Sequence, residues 1–474
     1  MRVKISLNLL RWLGVLGFVL WAACPRAKGA DNDYIDHALP AEWAAGTVPG
    51  AESDALNARW WSGFGDPLLD SLIAIGRENN YDVAMAARRI EIARHQVGEA
   101  QSAYYPNLSL NAGWSRDRVS GLTTATPAPA EVMSSFRGTV DMSWEIDVFG
   151  KITSQVRQAK AEVKVSAAEF AGVELSVDAE IATTYIGLLV ARGQLAVARE
   201  HSVSQQRILD ITKTRHETGL ASKLDVAQAT TLYYSTIASI PLLEASIDAS
   251  VNALAVLLGV TREGLPSGVL SAATLPSGMP PVGMGTPADL LQRRPDVVQA
   301  CRSVDAAAAA LGIARKDYLP SLSVTASVGT QAHSVSDLFS DRSFTYSIAP
   351  TLSWTIFDGL SRRHNAAAAR EAMENAIDSY NLAVITAVEE VRDAARKYGC
   401  TQSYIDYIDR VVQSSAEEVK LSVDLYKEGL TAFSNVVDAM LNYLTYQNTL
   451  VAARGQSIDS LINLYKALGG GWNS

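Results

Sequence analysis

Ser135–Val148 reads SFRGTVDMSWEIDV. Phe136, Val140, Met142, Trp144, Ile146 and Val148 alternate with Arg137, Thr139, Asp141, Ser143, Glu145 and Asp147. Side chains on a strand point to opposite faces in turn, so the stretch predicts a strand with one apolar and one polar face. An ordinary soluble sheet would show the same alternation. The residues after it are decisive: Phe149–Gly150 breaks the strand, and Lys151–Glu217 then runs without a proline.

The arrangement returns. Ser343–Phe357 reads SFTYSIAPTLSWTIF, with Phe344, Tyr346, Ile348, Leu352, Trp354 and Ile356 on one face. Asp358–Gly359 breaks it, and a helical pattern continues to about Glu428. Trp144 precedes Gly219 by 75 positions and Trp354 precedes Gly429 by 75 (219 − 144 and 429 − 354). The chain therefore reads as an internal duplication, two interleaved halves rather than a string of domains.

Composition bounds the rest. The net charge of −9 is scattered, and no basic patch points to nucleic acid. Arg2, Lys4 and Arg11 followed by the apolar Trp12–Ala23 predict an export signal over 1–23, too short to span a bilayer as a helix. No later segment is expected to reach that length without charge, so any entry into a membrane is by strands. The three cysteines, Cys24, Cys301 and Cys400, make no disulfide framework. Cys24 follows the apolar core and is a candidate for lipidation. The alternative is cleavage after Ala27-Lys28-Gly29, a small-x-small pattern that moves the signal's end to 29. Cys301 and Cys400 are read as small buried residues.

Residues 24–65 read as an N-terminal tail. The first repeat spans 66–258. It opens with a helical stretch, Asp66–Ala103, that Pro106 stops. Strands are expected at about 107–116 and 135–148, with a loop at Arg116–Met133. The long helix reaches roughly 100 Å. Gly219 marks its stop, and Ser222-Lys-Leu-Asp225 marks the start of a returning helix to about Leu258. Residues 259–287, rich in Gly, Pro and Ser, form a linker. The second repeat spans 288–468: a helix over Ala288–Asp317, strands at about 320–330 and 343–357 around a loop at Gln331–Arg342, the helix to Glu428, and a last helix after Gly429. Residues 469–474 are a tail.

Strands of about ten residues, apolar outward and small-polar inward, suit an outer-membrane barrel. Leu110, Val140, Trp144, Val324, Ile348 and Leu352 are expected toward lipid, and Ser109, Thr139, Ser323 and Ser347 toward water. Four strands cannot enclose a lumen, and an open edge in lipid leaves backbone groups unpaired. The chain would have to oligomerise, as a dimer with eight strands or a trimer with twelve.

Trp60-Trp61-Ser62-Gly63-Phe64-Gly65-Asp66-Pro67-Leu68 resembles the N-terminal signature of the TolC-like outer-membrane efflux factors, in their lipoprotein-rich branch. Gln292-Arg293-Arg294-Pro295-Asp296-Val297 resembles that branch's RRPD motif, and Leu319-Pro320-Ser321-Leu322 its helix-to-strand junction. Gly219 through Asp225 and Gly429 through Asp438 resemble its two helix hairpins. The resemblance covers essentially everything after residue 58. It implies a mostly α fold with a membrane β-barrel part: a homotrimer whose protomers each give four strands to one twelve-stranded barrel, continued by a periplasmic α-helical barrel. It also implies a Gram-negative outer-membrane location extending into the periplasm, contact with outer-membrane lipid, and two partners. These are a periplasmic adaptor protein and an inner-membrane pump of the resistance-nodulation-division type.

No residues point to catalysis, a cofactor or a metal. The six histidines are scattered, with no CxxC or HExxH. Glu91 and His95 share a helix face, which reads as a solvated pair. Asp225 is explained by helix capping alone. The resemblance adds a periplasmic gate in which Asp225 and Tyr426 hydrogen-bond between helices and Asp438 lines the lumen. Asn435 and Thr431 stand where many relatives carry charges, so a hydrogen-bonded gate is expected rather than a salt-bridged one.

The function implied is a passive exit duct for small molecules such as drugs or toxic compounds in tripartite efflux. Competing readings are the exit duct of a type I protein secretion system and a non-transporting structural coiled coil of the envelope, which would need no strand register.

Overall fold

The computed structural model describes residues 59–119, 131–272, 274–276, 278, 282 and 286–470. The expected signal, Cys24 and the tail to residue 58 lie outside them. Helix α1 (Pro67–Asn79) begins where the Asp66 carboxylate accepts hydrogen bonds from Leu68 N and Leu69 N, with Pro67 at the first helical position. Asn80 then takes an extended conformation and restarts the chain as α2 (Tyr81–Ser102), its side chain accepting from Asp82 N and Val83 N. Its Nδ2 also donates to Leu257 O at 2.8 Å. The single helix expected over Asp66–Ala103 is thus two.

The second half divides likewise. A 3-10 turn (Pro287–Asp289), α6 (Leu290–Arg293) and α7 (Pro295–Lys316) replace one expected helix. Pro295 biases Arg294 to extended geometry, which forces the break. Within the linker, a short helix α5 spans Ser267–Ser271.

The long elements come in two pairs of equal length. Helix α3 (Lys151–Glu217) and helix α8 (Ser361–Lys427) each have 67 residues; their returning partners α4 (Lys223–Leu257) and α9 (Phe433–Ala467) each have 35. Gly219 and Gly429 sit at φ 79° and 73°, a conformation glycine adopts without steric cost. Leu220 N bonds back to Arg215 O, and Leu430 N to Leu425 O, the Schellman closure of a helix end.

The main core lies midway along the helices. Leu72, Ile73, Ile181, Tyr185, Ile186, Leu189, Leu254, Leu258, Ile458, Leu461 and Tyr465 are all buried there. The segment before α1 is folded into it: Trp60 stacks on Tyr465 at 5.5 Å, and the Arg77 guanidinium lies 4.7 Å over the Trp61 ring. Helices α3, α4 and α7 each contain an 18-residue window apolar enough to cross a membrane by length and composition. The expectation that no later segment would do so is therefore corrected. In α7 that apolarity comes largely from the run Ala306–Ala310, and alanine favours close helix packing.

Four strands form one antiparallel sheet in the order β1-β2-β3-β4: β1 Asn107–Val119, β2 Glu131–Ile146, β3 Ser321–Ala332 and β4 Phe344–Ser353. Its edges, β1 and β4, are open within the chain. The first hairpin is taller than expected, since β1 continues past Arg116 and β2 starts before Ser135. β2 ends at Ile146, where Asp147 turns to accept from Ile152 N and Thr153 N at the head of α3. β4 ends at Ser353, four residues before the expected end, and Trp354 Nε1 instead donates to Tyr318 O at 3.0 Å.

Candidate gate at the hairpin end

Cross-strand partners share a face, so register sorts the sheet. Leu110, Val140, Val328 and Tyr346 form one row; Trp144, Val324 and Pro350 another; Ile146, Leu322 and Leu352 a third. The opposite face carries the row Ser109, Asp141, Ser327, Ser347 and the row Glu145, Ser323, Thr351. Asp141 Oδ2 accepts from Asn111 Nδ2 at 2.6 Å and from Thr139 Oγ1 at 3.0 Å. Over these rows one face is apolar and the other polar across the strands, up to the level of Trp114 and Phe136.

At the far end of the helices the two hairpins meet over a small core of Leu209, Ala229, Leu232, Tyr426, Phe433, Val436 and Met440. Asp225 serves two neighbours there. It completes a capping box, its backbone N–H donating to Ser222 Oγ at 3.1 Å while Ser222 N donates to Oδ2 at 3.3 Å. Tyr426 Oη, from the other hairpin, donates to the same Oδ2 at 3.3 Å, long for an O–H···O bond. Burial and the neighbouring Asp225 charge both raise the Tyr426 pKa, so its hydroxyl stays a neutral donor.

Arg215, which carries no motif in the sequence, ties this corner together. Its Nη1 donates to Lys427 O at 3.0 Å, and its guanidinium lies 5.2 Å from the Tyr426 ring centroid. It thus places a cation against the last carbonyls of α8. The available signal was a base in the last turn of α3; its partner sits 212 residues away. The second hairpin has no such cap, because Ala432 stands at the position of Ser222. Asn435 Nδ2 donates to Thr431 Oγ1 at 2.7 Å instead, an uncharged contact. Asp438 is exposed on α9 and makes no ion pair or hydrogen bond among the described residues.

The RRPD segment is a structural staple. Arg294, nearly buried, donates Nε and Nη2 to the Asp296 carboxylate at 3.0 and 2.6 Å and Nη1 to Ala467 O at 3.1 Å, and pairs with Glu390 at 2.7 Å. It locks the start of α7 to the end of α9. Among the described residues no group of three or more His, Cys, Asp or Glu is placed to hold a metal. Glu91 pairs with Arg94 rather than with His95. Cys301 is half-buried, but Cys400 is exposed, against expectation.

A family model described as outer membrane efflux protein matches residues 72–260 and 286–470. The chain is 29% identical over 434 residues to the probable efflux pump outer membrane protein SepC of Pseudomonas putida, covering 92% of this chain and 90% of that protein. It is 29% identical over 445 residues to the pyoverdine export outer membrane protein OpmQ of Pseudomonas aeruginosa, covering 92% of each. Among solved structures, the outer-membrane channel OprN superposes with a TM-score of 0.82 at 26% identity, over 92% of this chain and 99% of that one. The Campylobacter jejuni CmeC channel shares the fold at a TM-score of 0.81 and 22% identity, over 95% and 94%. With the family model matched over most of its length, the chain belongs to the outer membrane efflux protein family.

Proposed function

We propose that three copies of this chain close a twelve-stranded barrel in the outer membrane and a helical tunnel beneath it. Small molecules handed over by a periplasmic adaptor and an inner-membrane pump, of the resistance-nodulation-division class, leave through it passively. The observation that carries this reading is the sheet: one apolar and one polar face held in register across four strands, with both edges open. In lipid an open edge leaves N–H and C=O groups unpaired at several kcal/mol each, so β1 must meet β4 of another copy. Two copies would give eight strands and three would give twelve; the likeness to known efflux channels favours three. Helices of about 100 Å, all turning at one end, then extend the lumen away from the membrane. Asp225, Tyr426 and Asp438 form the gate at that end, and residues 66–258 and 288–468 act as the two repeats of each wall.

The test is planar-bilayer conductance of the purified protein, with its mass in detergent measured alongside. Stepwise ion conductance from a trimer is expected. Intact trimers that never conduct would favour the structural coiled coil, and a stable monomer would overturn the barrel.

A further inference from the structure

We infer that Arg116 and Arg118 form a docking site for the phosphate groups of an anionic lipid in the outer leaflet. The inference rests on the proposed barrel. On β1 the outward face runs Leu108, Leu110, Ala112, Trp114, and then changes chemistry to Arg116 and Arg118. Their cross-strand partners Ser134 and Val132 carry no charge. Asp117, between them, alternates to the other face and accepts from Ser115 Oγ at 2.9 Å. Both arginines are exposed, and neither makes an ion pair among the described residues. The connecting residues 120–130 contain no acid.

Their height fits a headgroup. Two aromatic levels bound the apolar face. At the lower one, Trp144 Nε1 donates to Tyr104 O and Trp354 Nε1 to Tyr318 O, each at 3.0 Å. At the upper one, Trp114 stacks on Phe136 at 6.2 Å. Phe136 and Trp144 are eight residues apart on β2. That is about 27 Å along the strand and about 21 Å along the membrane normal at a 40° tilt, close to the usual apolar band of about 25 Å. Arg116 stands one outward position above this upper level, about 5 Å higher, and Arg118 about 10 Å higher. The pair therefore brackets the boundary where hydrocarbon gives way to charged headgroups. Among the described residues neither guanidinium pairs with an acid, and a phosphate offers two oxygens to its planar fork. The duplicated strand carries Thr330 and Ala332 at the corresponding places, so the pair is particular to the first repeat.

The experiment is native mass spectrometry of the trimer in detergent, titrated with lipid A bearing both phosphates and, separately, with the same lipid after its phosphates are removed. The unaltered protein is expected to retain the phosphorylated form preferentially. Each single Arg→Gln change should weaken that retention about fivefold, and Arg116→Gln with Arg118→Gln about 30-fold. Arg137→Gln, on the inner face of β2, should change nothing, and Arg116→Lys with Arg118→Lys, which keeps the charge and loses the fork, should bind more weakly than the unaltered protein and more tightly than the double Gln variant. Equal retention of both lipid forms by a conducting trimer would overturn the lipid site and leave the duct standing. A monomer that does not conduct would overturn both.

Discussion

Asp225 and Asp459 show how one residue type takes opposite roles from its surroundings. The Asp225 carboxylate accepts from Ser222 N and Ser222 Oγ at a helix start and from Tyr426 Oη. Asp459, on α9, has a buried Oδ1 with no hydrogen-bond partner. Burial pushes its pKa up to about 6, and the nearby Lys397 only partly offsets this. A carboxyl whose folded pKa lies above its unfolded value binds more protons in the folded state. Its ionised form therefore costs stability, fully above about pH 6, and the cost fades as pH falls toward 4. Because the group is partly solvated, the penalty is discounted to about 1–2 kcal/mol per protomer. Asp459→Asn is expected to raise the thermal midpoint at pH 8 and to leave it unchanged at pH 4. A midpoint gain that is equal at both pH values would remove the ionisation account. No sequence pattern marks Asp459, because its environment is made by helix packing. Asp225 was legible because Ser222-Lys-Leu-Asp225 writes its own cap.

At the scale of the element, the strands were read from their period and the helices from their ends. Alternation fixed which face each residue takes, and the observed register keeps Leu110, Val140, Trp144, Val324, Ile348 and Leu352 together, opposite Ser109, Thr139, Ser323 and Ser347. Gly219 and Gly429 placed both hairpins to within a residue. The break at Arg294 is written in the Pro295 that follows it, whereas the break at Asn80 was not legible as such. Asn80 ends one helix only because its side chain caps the next and reaches Leu257, a partner 177 residues away. The fourth strand was read too long because Trp354 continues the alternation, whereas its ladder partner β3 starts only at Ser321, opposite Ser353, after Pro320, which has no N–H to donate. The face assignment makes a sharp expectation. Val140→Arg, near mid-strand on the apolar face, should cost about 2–4 kcal/mol of barrel stability, and Ser109→Arg on the polar face close to nothing. The measurement is the urea midpoint of protein folded into lipid vesicles; equal midpoints for the two variants would mean the apolar face does not meet hydrocarbon.

For the whole molecule, the proposed trimer raises the question of what would keep its tunnel shut. The strands are locked by their ladder, so the part free to move is the far end, where two hairpins touch through few polar contacts. The Tyr426–Asp225 bond spans them at 3.3 Å, and Arg215 braces the same tyrosine from below. A bond this long and partly solvated is worth about 1 kcal/mol, at the low end for a charged acceptor. Three of them in a concerted trimer would shift an open–closed equilibrium on the order of a hundredfold. Tyr426→Phe combined with Asp225→Ala is therefore expected to raise single-channel open probability in bilayers. Tyr426→Phe alone, which leaves the Ser222 capping box intact, should give most of the effect. Asp438 contributes differently. It is exposed and unpaired among the described residues, and three copies about a common axis would set a ring of carboxylates across the path. Such a ring favours cations through its field rather than through any contact. Asp438→Ala should leave open probability nearly unchanged and move the reversal potential in a salt gradient toward zero. Unchanged open probability in the first pair would remove the latch, and an unchanged reversal potential in Asp438→Ala would place that carboxylate outside the lumen.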